Sequence, residues 1–244
     1  MDKPRTAIVT GSGKRVGAEI TRALIAEGWT VVAHVRSADD SVEPGAIKVS
    51  ADLADRDCAI SIFDAATQLP PVRLLVNNAA RFVPDAFGAA SADEFDAHMA
   101  VNVRAPLLLI EAFAAAHDGA ADALVVNLLD AKLAAPNPDF LSYTLSKYAL
   151  AGLTELAARA LAPRGIRVNG IAPALMLRSA GQSEENFARM QTANPLCRAL
   201  SPTDAIAALK YLIASPAVTG EVLTIDGGQR FWSLERDVQF LEKP

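Results

Sequence analysis

Thr6-Ala7-Ile8-Val9-Thr10-Gly11-Ser12-Gly13-Lys14-Arg15-Val16-Gly17 decides the fold. Four residues without a charge read as a short buried strand. The glycine-rich turn that follows opens directly onto a helical stretch, residues 15–28, closed by Gly28. A glycine turn between the first strand and first helix brings backbone close to a phosphate, and the helix N-terminus offers N–H groups and positive dipole to it. A tight strand–helix turn with no ligand gives the same spacing. No Gly-Lys-Ser/Thr follows, so a mononucleotide P-loop is excluded.

Working outward, strand and helix alternate. Strands are expected at Trp29–Ala33, Ala46–Val49, Leu74–Val76, Ala123–Leu128, Ile166–Ile171 and Val222–Ile225, with helices at about 55–68, 91–116 and 142–161. Short, continuously apolar strands between helices predict an α/β fold with a seven-stranded parallel sheet covered on both faces, doubly wound in the Rossmann manner. No linker or repeat divides the 244 residues, so one domain, 1–244, is expected. Residues 174–202 are the least regular stretch, with Gly181, Pro195 and Pro202 around a short helical piece, and read as a substrate lid.

Composition narrows the partners. The net charge is −5 and the basic residues are scattered, unlike a nucleic-acid-binding stripe. A small molecule is the expected partner. Two cysteines, Cys58 and Cys197, and three dispersed histidines show neither disulfide nor metal-site spacing, so no metal is expected. No apolar run is expected to reach the roughly 18 residues of a membrane span. Met1–Arg5 leads straight into the first strand without an apolar signal region. These features predict a cytoplasmic protein.

The second strand ends in His34-Val35-Arg36-Ser37. Arg36 stands about 20 residues past Gly17, where an acid would accept from a ribose 2′-hydroxyl. A guanidinium and a hydroxyl suit a 2′-phosphate instead, which favours NADPH over NADH. Alternatively Arg36 is a solvated cation and Asp39 or Asp40 turns back to the ribose. Asp52-Leu53 either hold an adenine or, through Asp52, cap the next helix. Asn77-Asn78-Ala79-Ala80 ends the fourth strand with small residues that let the chain pass close to a flat ligand. Asn102 is an amide inside an apolar helix, hence a kink with bound water or a satisfied core group.

Tyr143 and Lys147 lie one helical turn apart on one face. An ammonium there would lower the phenol's pKa from its ordinary value near 10. The alternative is a surface Tyr and Lys.

Thr10-Gly11 with Gly17, Asp52, Asn77-Asn78-Ala79, Asn102, Tyr143 with Lys147, Pro173 and Asp226-Gly227-Gly228 together resemble the short-chain dehydrogenase/reductase family over almost the whole chain. The resemblance implies a nicotinamide cofactor held by Gly11, Arg15, Val16, Gly17, His34, Arg36, Ser37, Asp52, Leu53, Asn78, Ala79, Ala80, Tyr143, Lys147 and Pro173. It implies Tyr143 as proton donor, Lys147 as its electrostatic partner and ribose ligand, and Asn102 as anchor of a water relay. A homotetramer packed through the Tyr-bearing helix is also implied.

Two departures are informative. Arg15 replaces the family's usual glycine, and Asp130 stands where a serine is usual. Both are similar to the pteridine reductase branch, including dihydromonapterin reductases. There Phe82 falls where an aromatic stacks on the pterin, and Arg15, Phe82, Asp130 and Tyr143 form the expected substrate set. A carboxyl–phenol couple suits protonation of a ring nitrogen better than serine does. The competing expectations are a ketone or quinone reductase with an atypical acid, and an NADPH-binding regulatory protein without turnover. In the simplest alternative Asp130 faces solvent, Phe82 is loop packing and Arg15 is a surface charge. The tail from Arg230 to Pro244 is longer than the last strand needs; a cover over a neighbouring subunit's site is one reading of it, and its role is left open.

Overall fold

All four residues of β1 (Thr6–Val9) are fully buried, and the two neighbouring strands in the sheet explain why. In a computed structural model, which describes residues 4–119 and 122–241, β1 pairs with β2 (Thr30–Val35) on one side and β4 (Val72–Asn77) on the other, both parallel. With β3 (Ile47–Ser50), β5 (Ala123–Leu128), β6 (Ile166–Pro173) and β7 (Val222–Ile225) the sheet has seven parallel strands in the order β3-β2-β1-β4-β5-β6-β7. That is the doubly wound order, in which ligands sit beyond the carboxyl ends of the strands at the point where the order reverses, between β1 and β4. Met1–Lys3 and the last three residues of the tail, 242–244, lie outside the described residues.

Helices cover both faces. α1 (Arg15–Ala26) and α7 (Pro202–Ala214) pack on one, burying Ile20, Leu24, Leu209 and Leu212 against Val9, Val76 and Val126. α2 (Cys58–Asp64), α4 (Ala105–Ala116) and α5 (Leu141–Leu161) pack on the other, with Phe113, Leu109 and Ile62 against Ile8, Leu75 and Val125. Branched residues suit strands buried on both faces.

Some expectations change. The first helix stops at Ala26, and the helix expected over 55–68 contracts to Cys58–Asp64. The stretch 91–116 is not one regular helix: α3 (Ala92–Met99) passes through a π-helical turn, Ala100–Arg104, before α4 begins. By length and composition, Ala92–Ala116 does meet the requirement for a membrane span, with mean hydropathy 1.5, which corrects the expectation that no stretch does. Here it packs against β4 and α5. α7 was not anticipated, although Ser201 and Asp204 form a capping box around Pro202 at its start. The lid contains one short helix, α6 (Glu184–Met190), capped by Ser183.

Candidate active site

A cavity of about 990 Å³ runs across the carboxyl ends of the strands, from the glycine turn to the start of α5 and the C-terminal tail. Gly11 has φ +68, and a Cβ on Gly17 would lie 2.1 Å from the Gly11 carbonyl oxygen, so the turn closes only with glycines. The turn is braced from behind. Asn78 Nδ2 donates to the carbonyls of Thr10 and Gly11 at 2.8 and 3.1 Å, and Thr10 Oγ1 accepts the backbone N–H groups of Asn78 and Ala79.

His34 completes the brace. Its Nδ1 accepts the Gly11 N–H at 3.2 Å and its Nε2 meets the Ala51 carbonyl at 2.9 Å, which fixes a neutral ring with the hydrogen on Nε2. Burial pushes its pKa below the ordinary value. Both ring nitrogens are therefore engaged within the protein, although the side chain borders the cavity. Val16, Asp52, Leu53, Ala79, Ala80 and Pro173 also line it, and Asp52 Oδ1 caps the Ala54 N–H in a local turn. Arg36 lines the cavity with Asp40, whereas Ser37 does not reach it. The Ser37 hydroxyl accepts the Asp39 N–H, and its own N–H goes to Asp40 Oδ2.

Arg15 adopts φ 56, a left-handed backbone that explains why glycine suits this place in the turn. Its guanidinium donates to the lid carbonyls of Arg178 at 2.8 Å and Leu177 at 3.4 Å, so it ties the glycine turn to the lid.

At the other end, Tyr143 Oη donates to Asp130 Oδ2 at 2.8 Å. Asp130 Oδ1 accepts the Lys132 N–H at 2.8 Å, which caps the short 3-10 turn after β5 (Ala131–Ala134) and aims the carboxylate at the phenol rather than at water. Burial raises the Asp130 pKa, against the lowering effects of the Lys132 N–H, Tyr143 and Lys147. Tyr143 is pushed well above its ordinary value, by burial first and by Asp130 second. The expectation that Lys147 lowers the phenol is thus corrected. The ammonium stands 5.6 Å from the phenol ring and donates to the Leu128 carbonyl at 2.5 Å, while burial lowers its own pKa to about 8. The pair holds its proton; it does not shed it as a free phenolate.

Asn102 sits in the π turn, a device frequent at functional sites. Its Oδ1 accepts the Arg81 N–H at 2.7 Å, and its Nδ2 donates to the Arg81 carbonyl and to Ser146 Oγ. Both amide hydrogens are spent on protein acceptors, so the side chain joins the Arg81 loop to α5. Phe82 borders the cavity, with its ring stacked on Phe140 at 4.2 Å and edge-on to Tyr143 at 4.7 Å.

Several wall residues were not anticipated: Lys132, Arg81, and Trp232, Leu234, Asp237 and Val238 of the tail. Their contacts span up to 98 residues of sequence, and no local pattern marks them.

A glycine cradle, a basic rim at the second strand and a buried Tyr–Lys pair in one continuous cavity fit a nicotinamide dinucleotide beside its substrate. Fold and site thus define an oxidoreductase of the doubly wound class. A family model described as enoyl-(acyl carrier protein) reductase matches residues 11–230, and the chain belongs to the short-chain dehydrogenase/reductase family. It is 33% identical to 3beta-hydroxysteroid dehydrogenase 1 of Eggerthella lenta, over 94% of this chain and 95% of that protein. It is 30% identical to pteridine reductase 1 of Leishmania tarentolae, over 91% and 95%. The solved structure of FolM alternative dihydrofolate reductase 1 from Brucella canis, complexed with NADP, superposes with a TM-score of 0.86 at 36% identity, covering 93% of this chain and 94% of that one.

Proposed function

We propose that the protein uses NADPH to reduce a C=N bond of a pteridine such as a dihydropterin or dihydromonapterin. The observation that carries this reading is the 2.8 Å contact between Tyr143 and the half-buried Asp130. The pteridine reductase and alternative dihydrofolate reductase relatives support it.

When bound, a reduced nicotinamide supplies a hydride to the ring carbon. The chain's residues do the rest. The Gly11–Gly17 turn receives the pyrophosphate and Arg36 the 2′-phosphate. His34 and Asn78 hold the turn, while Arg15 joins it to the lid and can also reach the substrate. Lys147 holds the ribose beside Tyr143.

The ring nitrogen gains a proton as its carbon gains hydride. The 2.8 Å hydrogen bond lets Asp130 and Tyr143 share a proton, and burial raises the proton affinity of the carboxyl. A protonated Asp130 donates to the phenol oxygen across the same 2.8 Å, which frees the Tyr143 hydrogen for the substrate nitrogen. The titration belongs to the couple. Asn102 acts as a positioning residue through Arg81 and α5, and Phe82 supplies an aromatic wall for the planar ring.

The experiment is NADPH oxidation with a panel of dihydropterins against simple ketones. Turnover of pterins, with ketones at least about 100-fold poorer in kcat/KM, is the expected result, given the discrimination available to hydrogen-bonded sites. The steroid dehydrogenase relative favours the second reading, a carbonyl reductase, and ketones as the better substrates would establish that one. NADPH binding without consumption of any substrate would favour a regulatory protein.

The tetramer is part of the same proposal. Leu145, Tyr148 and Leu156 of α5 are exposed, and a Cβ at Gly152 on the same helix would meet nothing within 4 Å. Sedimentation of the purified protein tests it.

A further inference from the structure

The match to the family model ends at residue 230, yet the chain past that point builds the wall of the reacting end of the cavity. The tail is held from two directions. Arg236 Nε donates to Asp139 Oδ1 and Oδ2 at 3.0 and 2.8 Å, and the Asp237 N–H reaches Asp139 Oδ2 at 2.7 Å. Phe240 stacks on Phe140, the residue before α5, with centroids 5.7 Å apart. From the lid, Asn186 Nδ2 of α6 donates to the Leu241 carbonyl at 2.8 Å, and a second bond links Gln239 to Ala180. The tail is therefore clamped to the start of the catalytic helix and to the lid at once.

This clamp fixes Asp237 in the cavity wall. Its Oδ1 accepts the Gln239 N–H at 3.1 Å, and its Oδ2 forms an ion pair with Lys132 Nζ at 3.5 Å, which leaves each carboxylate oxygen a further lone pair for a ligand. Lys132 gives a hydrogen to the Asp139 carbonyl, and its backbone N–H holds Asp130. The other acids that line the cavity are differently placed. Asp40 and Asp52 follow the β2 and β3 strands at the cofactor end, and Asp130 is engaged by Tyr143 and Lys132. Asp237 is the acid at the reacting end, among the described residues, that keeps acceptor capacity for a ligand.

We propose that Asp237 is the substrate-reading carboxylate of this site and takes the adjacent N–H donors on the 2-amino-4-oxopyrimidine edge of the substrate ring. The assignment rests on the pteridine reading above. A planar carboxylate meets two parallel N–H groups as it meets a guanidinium fork, which fixes the ring in the plane as well as adding energy. A ring with oxygen in place of the 2-amino group keeps its ring N–H but turns a lone pair toward one carboxylate oxygen, which then faces a carbonyl instead of a donor. Sites built to bond an N–H reject such analogues strongly. Asp237 touches no reacting atom in this scheme; it orients the ring so that its nitrogen meets Tyr143.

The test is binding of pterin and of lumazine, the same bicycle with oxygen at carbon 2, to the NADP⁺-loaded enzyme, read by ring fluorescence without turnover. The wild type is expected to prefer pterin by about tenfold or more. Asp237→Asn and Asp237→Ser, which keep a side-chain oxygen to cap the Gln239 N–H, should weaken pterin by roughly tenfold to a hundredfold, the range for a hydrogen bond to a charged group. Lumazine affinity, NADP⁺ affinity and the melting temperature should stay near wild type. Unchanged pterin affinity in both variants overturns the role of Asp237 and leaves the pteridine reading standing. Equal weakening of both rings also overturns it, because a displaced tail alone would do that. A wild type that binds neither ring removes the pteridine reading, and this assignment with it.

Discussion

Tyr143 Oη and Asp130 Oδ2 lie 2.8 Å apart, with Tyr143 buried and Asp130 half-buried in the cavity wall. Serine at position 130 would keep a hydroxyl near the phenol and lose the acid. Asp130→Ser is expected to lower kcat/KM for a dihydropterin by about 100-fold or more, the scale of general-acid catalysis. NADPH affinity, measured by fluorescence titration, should stay within about threefold, since Asp130 lies at the reacting end. Wild-type turnover in that variant would remove the special role of the carboxyl group.

Lys147 gives a pH dependence of defined sign. Its ammonium is charged below about 8 and neutral above, so turnover should fall as pH rises through that value. Asp130→Asn does not titrate there, and its residual rate should retain a limb near 8. For stability the direction reverses. The unfolded chain binds the lysine proton more tightly, up to the ordinary value of 10.5, so this residue's contribution to stability improves between about 8 and 10.5. Urea unfolding across that range measures it.

His34 acts at the opposite end of the pH scale. Its folded pKa lies below 6.5, so its contribution to stability is present above 6.5 and lost as pH falls, when the unfolded chain takes up the proton first. His34→Phe removes this dependence and strands the Gly11 N–H, at a cost of about 1–3 kcal/mol. NADPH affinity should fall with it, because the turn loses its brace. Thermal unfolding from pH 5 to 8 compares the two proteins; parallel curves would contradict the brace.

Arg36 tests cofactor choice. Arg36→Ala is expected to weaken NADPH by roughly tenfold to a hundredfold, the scale of charge-assisted hydrogen bonds. NADH should be affected little. Dissociation constants for both cofactors decide this, and an equal loss for both would move the choice to Asp40, whose side chain also lines the cavity.

Much of this was legible along the chain because the signals are local. Each of the seven strands contains a short, mostly apolar segment, and the structure pairs them in the doubly wound order. The glycine turn and Tyr143 with Lys147 are spaced by the geometry of one turn or one helix. Other features were less visible. α7 opens with a capping box, but its small alanines carry a weak amphipathic signal along the sequence. Asn102 gave no hint of a π turn, since both of its outcomes, kink or satisfied core group, share one sequence. Lys147 faced the phenol as expected, but burial decided the direction of the phenol's titration.

Taken alone, the sequence determined the order of strands and helices, the glycine turn and the placing of Tyr143 and Lys147 on one helix face, for these depend on periodicity and on residue type. Tertiary structure decided that Asp130 points inward at Tyr143, that His34 braces Gly11, and that the tail returns to wall the cavity through Asp237. Each of these joins atoms distant in sequence. Their energies come from desolvation and hydrogen-bond geometry, and those exist only once the chain has closed around them.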